Sequence, residues 1–168
     1  METKLVYKAE SLEIRRDIYE MSNKHIIKKD FVDHPGSVMI IGVREKKILF
    51  VKQWRQPIKK YTIELPCGTL HKSEISKIGA DREFREETGF SAKNYSSIGK
   101  FYCAPGYSNE VKEIFIAEDI YLSPLAPDED EQIELQYYSL DEGIKLIIEN
   151  KIIDQGTILA LNIYQSIL

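Results

Sequence analysis

The chain has 168 residues, 43% hydrophobic and 30% charged, which is enough for one globular core and too few for a second full domain. Its formal net charge of −4, with Lys and Arg scattered along the sequence, excludes a general nucleic-acid binder, which needs a basic stripe. The first ten residues hold no apolar core of signal-peptide length, and no later run approaches the roughly 20 apolar residues of a membrane span. A cytoplasmic protein with no membrane attachment is expected. Two cysteines, Cys67 and Cys103, make no disulfide framework, and His25, His34 and His71 lack zinc-site spacing.

In chain order, residues 12–21 and 24–32 alternate enough to predict two strands joined by a turn at Ser22-Asn23. Pro35-Gly36 then turns the chain. Residues 38–43 and 48–51 are apolar runs on either side of a charged turn at 44–47, which predicts a hairpin of central strands. A short strand over 61–65 ends at Pro66. A loop and then a helix follow, with Ser73 or Ser76 available as a cap and Gly89 suited to the left-handed residue that closes a helix. Strand patterning resumes over 93–103 and 110–116, separated by Ala104-Pro105-Gly106, and again over 133–138. Ser139-Leu-Asp-Glu begins a helix in the manner of a capping box, and 154–168 reads as a second amphipathic helix. The order predicts an α+β fold, an α/β/α sandwich with a mixed sheet. Residues 1–36 form a β extension and 37–168 the main domain.

The helix region is the chain's most informative stretch. GTLHKSEISKIGADREFREETGF, residues 68–90, sets four glutamates and two arginines between two glycines. Glu83, Glu86 and Glu87 stand at i, i+3 and i+4, so their carboxylates share one side of a helix. Like charges at that spacing destabilise a helix unless a cation meets them. Oxygen-only ligands suit Mg²⁺, Mn²⁺ or Ca²⁺ better than zinc.

With Gly68, Glu74, Arg82, Glu83, Phe84, Glu86, Glu87, Gly89 and Phe90 at their fixed spacings, the stretch resembles the Nudix box at every specified position. The resemblance implies that Glu83, Glu86 and Glu87 hold catalytic metal, Mg²⁺ with Mn²⁺ as a substitute, and that the backbone carbonyl of Cys67 completes a site. It also implies that Gly68, Glu74, Arg82 and Gly89 are architectural. An Arg82–Glu74 pair with two parallel hydrogen bonds would tie the loop to the helix. Cys67 has no histidine partner that would make it a nucleophile.

Diphosphate hydrolysis needs neutralised oxygens and an activated, aligned water. The acidic tract at 127–132 offers a general base, with the solvated charge run as the alternative. Glu129 and Glu131 both fit, and Glu131 is preferred.

The flanking segments narrow the substrate. Lys52-Gln-Trp-Arg-Gln-Pro57, Glu64-Leu-Pro-Cys-Gly68, Pro105 in Ala-Pro-Gly-Tyr-Ser-Asn-Glu, and the acidic tract resemble the ADP-ribose pyrophosphatase branch of the family. That likeness implies hydrolysis of ADP-ribose to AMP and ribose 5-phosphate. Other nucleoside diphosphate sugars such as GDP-mannose, dinucleotides, and a silent nucleotide-binding module are the alternatives. Arg55 is a candidate phosphate ligand or a surface ion-pair partner, and Trp54 stacks a base or packs in the core. Glu64 and Glu110 are candidate substrate contacts, with loop support as the structural alternative. Tyr19 and Phe31 are candidates for stacking the base from the leading strands. The family's use of such an extension implies a homodimer.

Overall fold

The computed structural model describes residues 1–9, 12–126 and 132–168. Three antiparallel strands, β1 (Glu2–Lys8), β2 (Glu13–Glu20) and β3 (Ile26–Asp33), form a sheet of their own. The turn between β2 and β3 falls at the predicted position, whereas β1 was not anticipated. Every residue of β1 is exposed, so it has no apolar alternation to betray it. It is held by its ladder to β2 and by polar pairs such as Thr3–Asp17 at 2.6 Å and Lys8–Glu13 at 2.9 Å.

Residues 107–109 bond the extension to the body. The Val32 N–H donates to the Tyr107 carbonyl at 2.8 Å, and the Asn109 side chain bridges the His34 N–H at 2.8 Å and Asp33 at 2.6 Å. The turn carrying Pro105 is closed by N–H groups of Tyr107 and Ser108 bonding to the Ala104 carbonyl. That turn presents residues 107–109 to β3.

The main sheet comprises β4 (Ser37–Arg44), β5 (Lys47–Arg55), β6 (Lys60–Glu64), β7 (Cys67–Thr69), β8 (Phe90–Tyr102), β9 (Val111–Leu122) and β10 (Ile133–Tyr138). Its main path runs β10-β5-β4-β9-β8, with β6 paired to β5 and β7 to β4. Among the described strand pairs of this sheet only β4–β9 is parallel, which makes the sheet mixed. Helix α1 (Ser76–Thr88) covers one face, and α2 (Leu140–Ile148) and α3 (Gln155–Ile167) cover the other.

The run Ser37-Val-Met-Ile-Ile41 is buried throughout because β4 has cover on both faces. Val38 and Ile40 pack with Ala80, Phe84 and Phe115, while Met39 and Ile41 pack with Phe50, Ile114, Ala160 and Leu161. Gly42 lies under Phe84, whose ring would sit 2.4 Å from a Cβ there. This is the predicted α+β sandwich.

The helix starts differ in part from the sequence reading. Ile75 occupies the N-cap of α1 and makes no side-chain cap bond, so neither Ser73 nor Ser76 is the cap. Ser73 is held at φ 65° in the turn before the helix, and Ser76 is already helical. In the same loop, the Glu74 carboxylate accepts the His71 N–H at 2.9 Å. Gly89 closes α1 at φ 77° and donates its N–H to the Arg85 carbonyl. The capping box on α2 forms between Ser139 and Glu142, and Asp154 caps α3. Among the described residues, no helix is long and apolar enough to cross a membrane.

Candidate active site

The last two turns of α1 carry the acidic residues, and the helix sets Glu83 and Glu87 against β7 while Glu86 stays more open. Glu83 and Glu87 are buried, at 8% and 6% exposure. The Glu87 carboxylate accepts the Cys67 N–H at 2.9 Å. Glu83 lies beneath Gly68, where a Cβ would fall 2.0 Å from its carboxyl carbon. A backbone stretch without a side chain is what lets the two elements approach.

Arg82 is the hub of this region. Its Nε and Nη2 donate to the two oxygens of Glu74 at 3.0 and 2.9 Å, and Nη2 also reaches the Thr69 carbonyl at 3.1 Å. Its Nη1 donates to Glu83 at 2.8 Å and to Glu86 at 2.9 Å. One guanidinium thus joins the loop, the β7 backbone and the helix. Hydrogen bonding from Arg82 holds the Glu74 carboxyl down at about 2, and bonding to Glu74 raises Arg82 in turn.

Glu83, Arg82 and β7 border a cleft of ≈ 400 Å³, lined also by Ser37, Arg55, His71, Glu110 and Lys112, whereas Glu86 and Glu87 are not among its lining residues. Arg55 is bound to Glu64 through two bonds of 2.8 and 2.5 Å, and Thr62 adds a 2.5 Å bond to the same carboxylate. Glu64, at 4% exposure, does not line the cleft itself and is joined to it through Arg55. Glu110 accepts from the Ser37 hydroxyl at 2.7 Å. Burial alone would raise the Glu110 carboxyl, but bonds from Ser37 and Cys103 outweigh it and the net direction is downward. Burial pushes the Cys67 thiol up to about 12.

Trp54 and Phe31 are not among the residues lining this cleft. Trp54 follows Gln53 and precedes Arg55 on β5, so strand alternation turns it to the opposite face. There it is 44% exposed and packs edge-on against Tyr61 at 5.2 Å, which also removes it from the core. Phe31 is half-buried within the extension, opposite Arg15 on β2, and Tyr19 pairs with Ile27 in the same sheet. Glu129 and Glu131 lie outside the described residues. Ser37 and Lys112 line the cleft without having been singled out in the sequence. A serine opening an apolar strand and a lysine on a strand carry no motif.

Among the described residues, no three His, Cys, Asp or Glu side chains stand ready-made as a cation cage. Arg82 supplies positive charge between Glu83 and Glu86 instead. The donor chemistry nevertheless suits a hard cation: the Glu83 carboxylate lies beneath a glycine that leaves its approach open, Glu86 shares the Arg82 guanidinium with it, and the neighbouring thiol stays protonated.

A mixed sandwich with an acid-bearing helix packed beneath a glycine strand defines a class of enzyme. The family model described as NUDIX domain matches residues 33–158, and the chain belongs to the Nudix family as a Nudix pyrophosphohydrolase. It is 32% identical over 163 residues to the "ADP-ribose pyrophosphatase" of Bacillus subtilis, covering 95% of this chain and 88% of that one. It is also 32% identical over 168 residues to the "Methanol dehydrogenase activator" of Bacillus methanolicus, covering 98% and 91%. A solved structure described as an ADP compounds hydrolase superposes with a TM-score of 0.86 over 99% of this chain and 91% of that chain, at 20% identity.

Proposed function

We propose that this enzyme hydrolyses the diphosphate bond of ADP-ribose, releasing AMP and ribose 5-phosphate. The observation that carries the substrate is the similarity to an ADP-ribose pyrophosphatase over 95% of the chain, which takes in the extension, the cleft and α3. A likeness confined to residues 68–90 would speak only for the reaction type.

In this reading Glu83, Glu86, Glu87 and the Cys67 carbonyl hold Mg²⁺, with Mn²⁺ as a substitute. Bound there, a divalent ion supplies charge neutralisation of the diphosphate and a water made nucleophilic near neutral pH. The chain's own residues do the rest. Arg82 and Glu74 keep the helix and loop in register. Arg55, oriented by Glu64, presents its remaining N–H edge to phosphate oxygens. Glu110, anchored by Ser37, offers a second acceptor at the cleft wall. Glu131 or Glu129 positions or deprotonates the attacking water.

We place the enzyme in the cytoplasm as a homodimer joined through the extension, whose Leu5, Val6 and Tyr7 are about half exposed, at 51%, 47% and 57%. Sedimentation at micromolar concentration tests this, and a monomer counts against it.

Substrate choice is tested by product analysis across ADP-ribose, GDP-mannose and dinucleotides, with Mg²⁺ and with a chelator. Preference for ADP-ribose, AMP among the products, and loss of turnover with the chelator support the proposal. Preferred cleavage of another member reassigns the substrate. No cleavage of any member overturns the reading.

A further inference from the structure

We propose that Lys112 is a positioning residue for the anionic oxygens of the substrate's diphosphate, an inference that rests on the reading above for the substrate. Residue 112 is fixed by two strands at once, opposite Ser37 on β4 and Phe101 on β8. Its neighbour Glu113 is engaged with Ser97 and Lys100, and by strand alternation Lys112 points to the other face. There it borders the catalytic cleft together with Arg55, Arg82 and Glu83.

The permanent cations of that cleft are not equally available. Arg55 is bound to Glu64 by two bonds. Arg82 is engaged with Glu74, Glu83, Glu86 and the Thr69 carbonyl. Lys112 is hydrogen-bonded to the Cys67 sulfur and has the Asp154 carboxylate nearby, which together outweigh its burial and keep it charged, and among the described residues no carboxylate forms an ion pair with it. An ammonium bonded to a thiol and to no carboxylate keeps donors for an anion that enters the cleft. Its three donors suit the non-planar oxygens of a diphosphate.

The rival role is structural, with Lys112 tying β9 to the head of α3 near Asp154. On that side it also lines a ≈ 140 Å³ cavity with Tyr102, Asp154 and Gln155.

Lys112→Met, Lys112→Gln and Lys112→Arg separate the two roles. The readouts are titration calorimetry with inorganic pyrophosphate and Mg²⁺, steady-state kinetics on ADP-ribose, and thermal melting. Loss of a charge-assisted contact should weaken pyrophosphate binding and raise KM by about 10-fold or more, with kcat within about three-fold, in the Met and Gln variants. Lys112→Arg should recover most of the binding. Unchanged pyrophosphate affinity in the Met and Gln variants overturns the proposal, as does failure of the unsubstituted enzyme to bind pyrophosphate. Equal losses in all three variants, tracking a lowered Tm, assign Lys112 the structural role instead. If no nucleoside diphosphate is cleaved, the functional reading fails, while the calorimetry still decides Lys112.

Discussion

Gly68 and Glu83 are in such close contact that a methyl group on residue 68 would lie 2.0 Å from the carboxyl carbon of Glu83 and 2.1 and 2.2 Å from its oxygens. The absent side chain lets the carboxylate stand against the β7 backbone, beside the Cys67 peptide that bonds Glu87. Gly68→Ala should therefore displace Glu83 and cut kcat by about 10²-fold, with metal affinity reduced in parallel. Steady-state kinetics and Mn²⁺ titration check this. Wild-type turnover in the variant would mean that the contact has no bearing on catalysis.

Glu74 should be a stability residue with a defined pH signature. Its carboxyl is held at about 2 against an ordinary value of 4.5, chiefly by hydrogen bonding from Arg82. A depressed carboxylate stabilises the fold fully above the unfolded value and loses that contribution as pH falls through the folded one. Glu74→Gln should cost about 1–3 kcal/mol at neutral pH. The gap to the unsubstituted protein should narrow from about pH 4.5 down towards pH 2, as followed by denaturant unfolding. A gap independent of pH over that window would remove the ionic explanation.

Cys67 should be dispensable as a thiol. Burial raises it to about 12, so it is protonated at neutral pH and a poor nucleophile. Cys67→Ala should keep kcat within about three-fold, since the backbone carbonyl is retained. A thiol reagent should label it slowly in the native enzyme and readily after unfolding. Inactivity with fold and metal affinity intact would assign chemistry to the sulfur.

The water-activating role proposed for the acidic tract at 127–132 is tested at Glu129 and Glu131 separately. One of Glu129→Gln and Glu131→Gln should lower kcat by about 10²–10⁴-fold while Mn²⁺ binding is unchanged. If both variants turn over normally, the base is another residue.

Much of the fold was legible because its signals are local. The β4–β5 hairpin declared itself through two apolar runs around a charged turn, and Gly89 through its demand for φ 77°. Strand β1 was silent because its stability comes from pairing with β2 and exposed polar contacts, not from a buried stripe. The cap of α1 was misassigned for a related reason. Two serines have the right chemistry near the helix start, but loop geometry puts Ile75 at the cap, with Ser76 one residue inside the helix.

By itself the sequence determined the family, the acidic helix and the pairing of Arg82 with Glu74, because helical periodicity and complementary side chains are written in residue spacing. Only the tertiary structure decided which residues share the cleft. Sheet alternation set Arg55 and Trp54 on opposite faces, and pairing of β9 with β4 brought Lys112 beside Ser37. The β9–β4 pairing joins segments tens of residues apart, and no spacing within one segment encodes it.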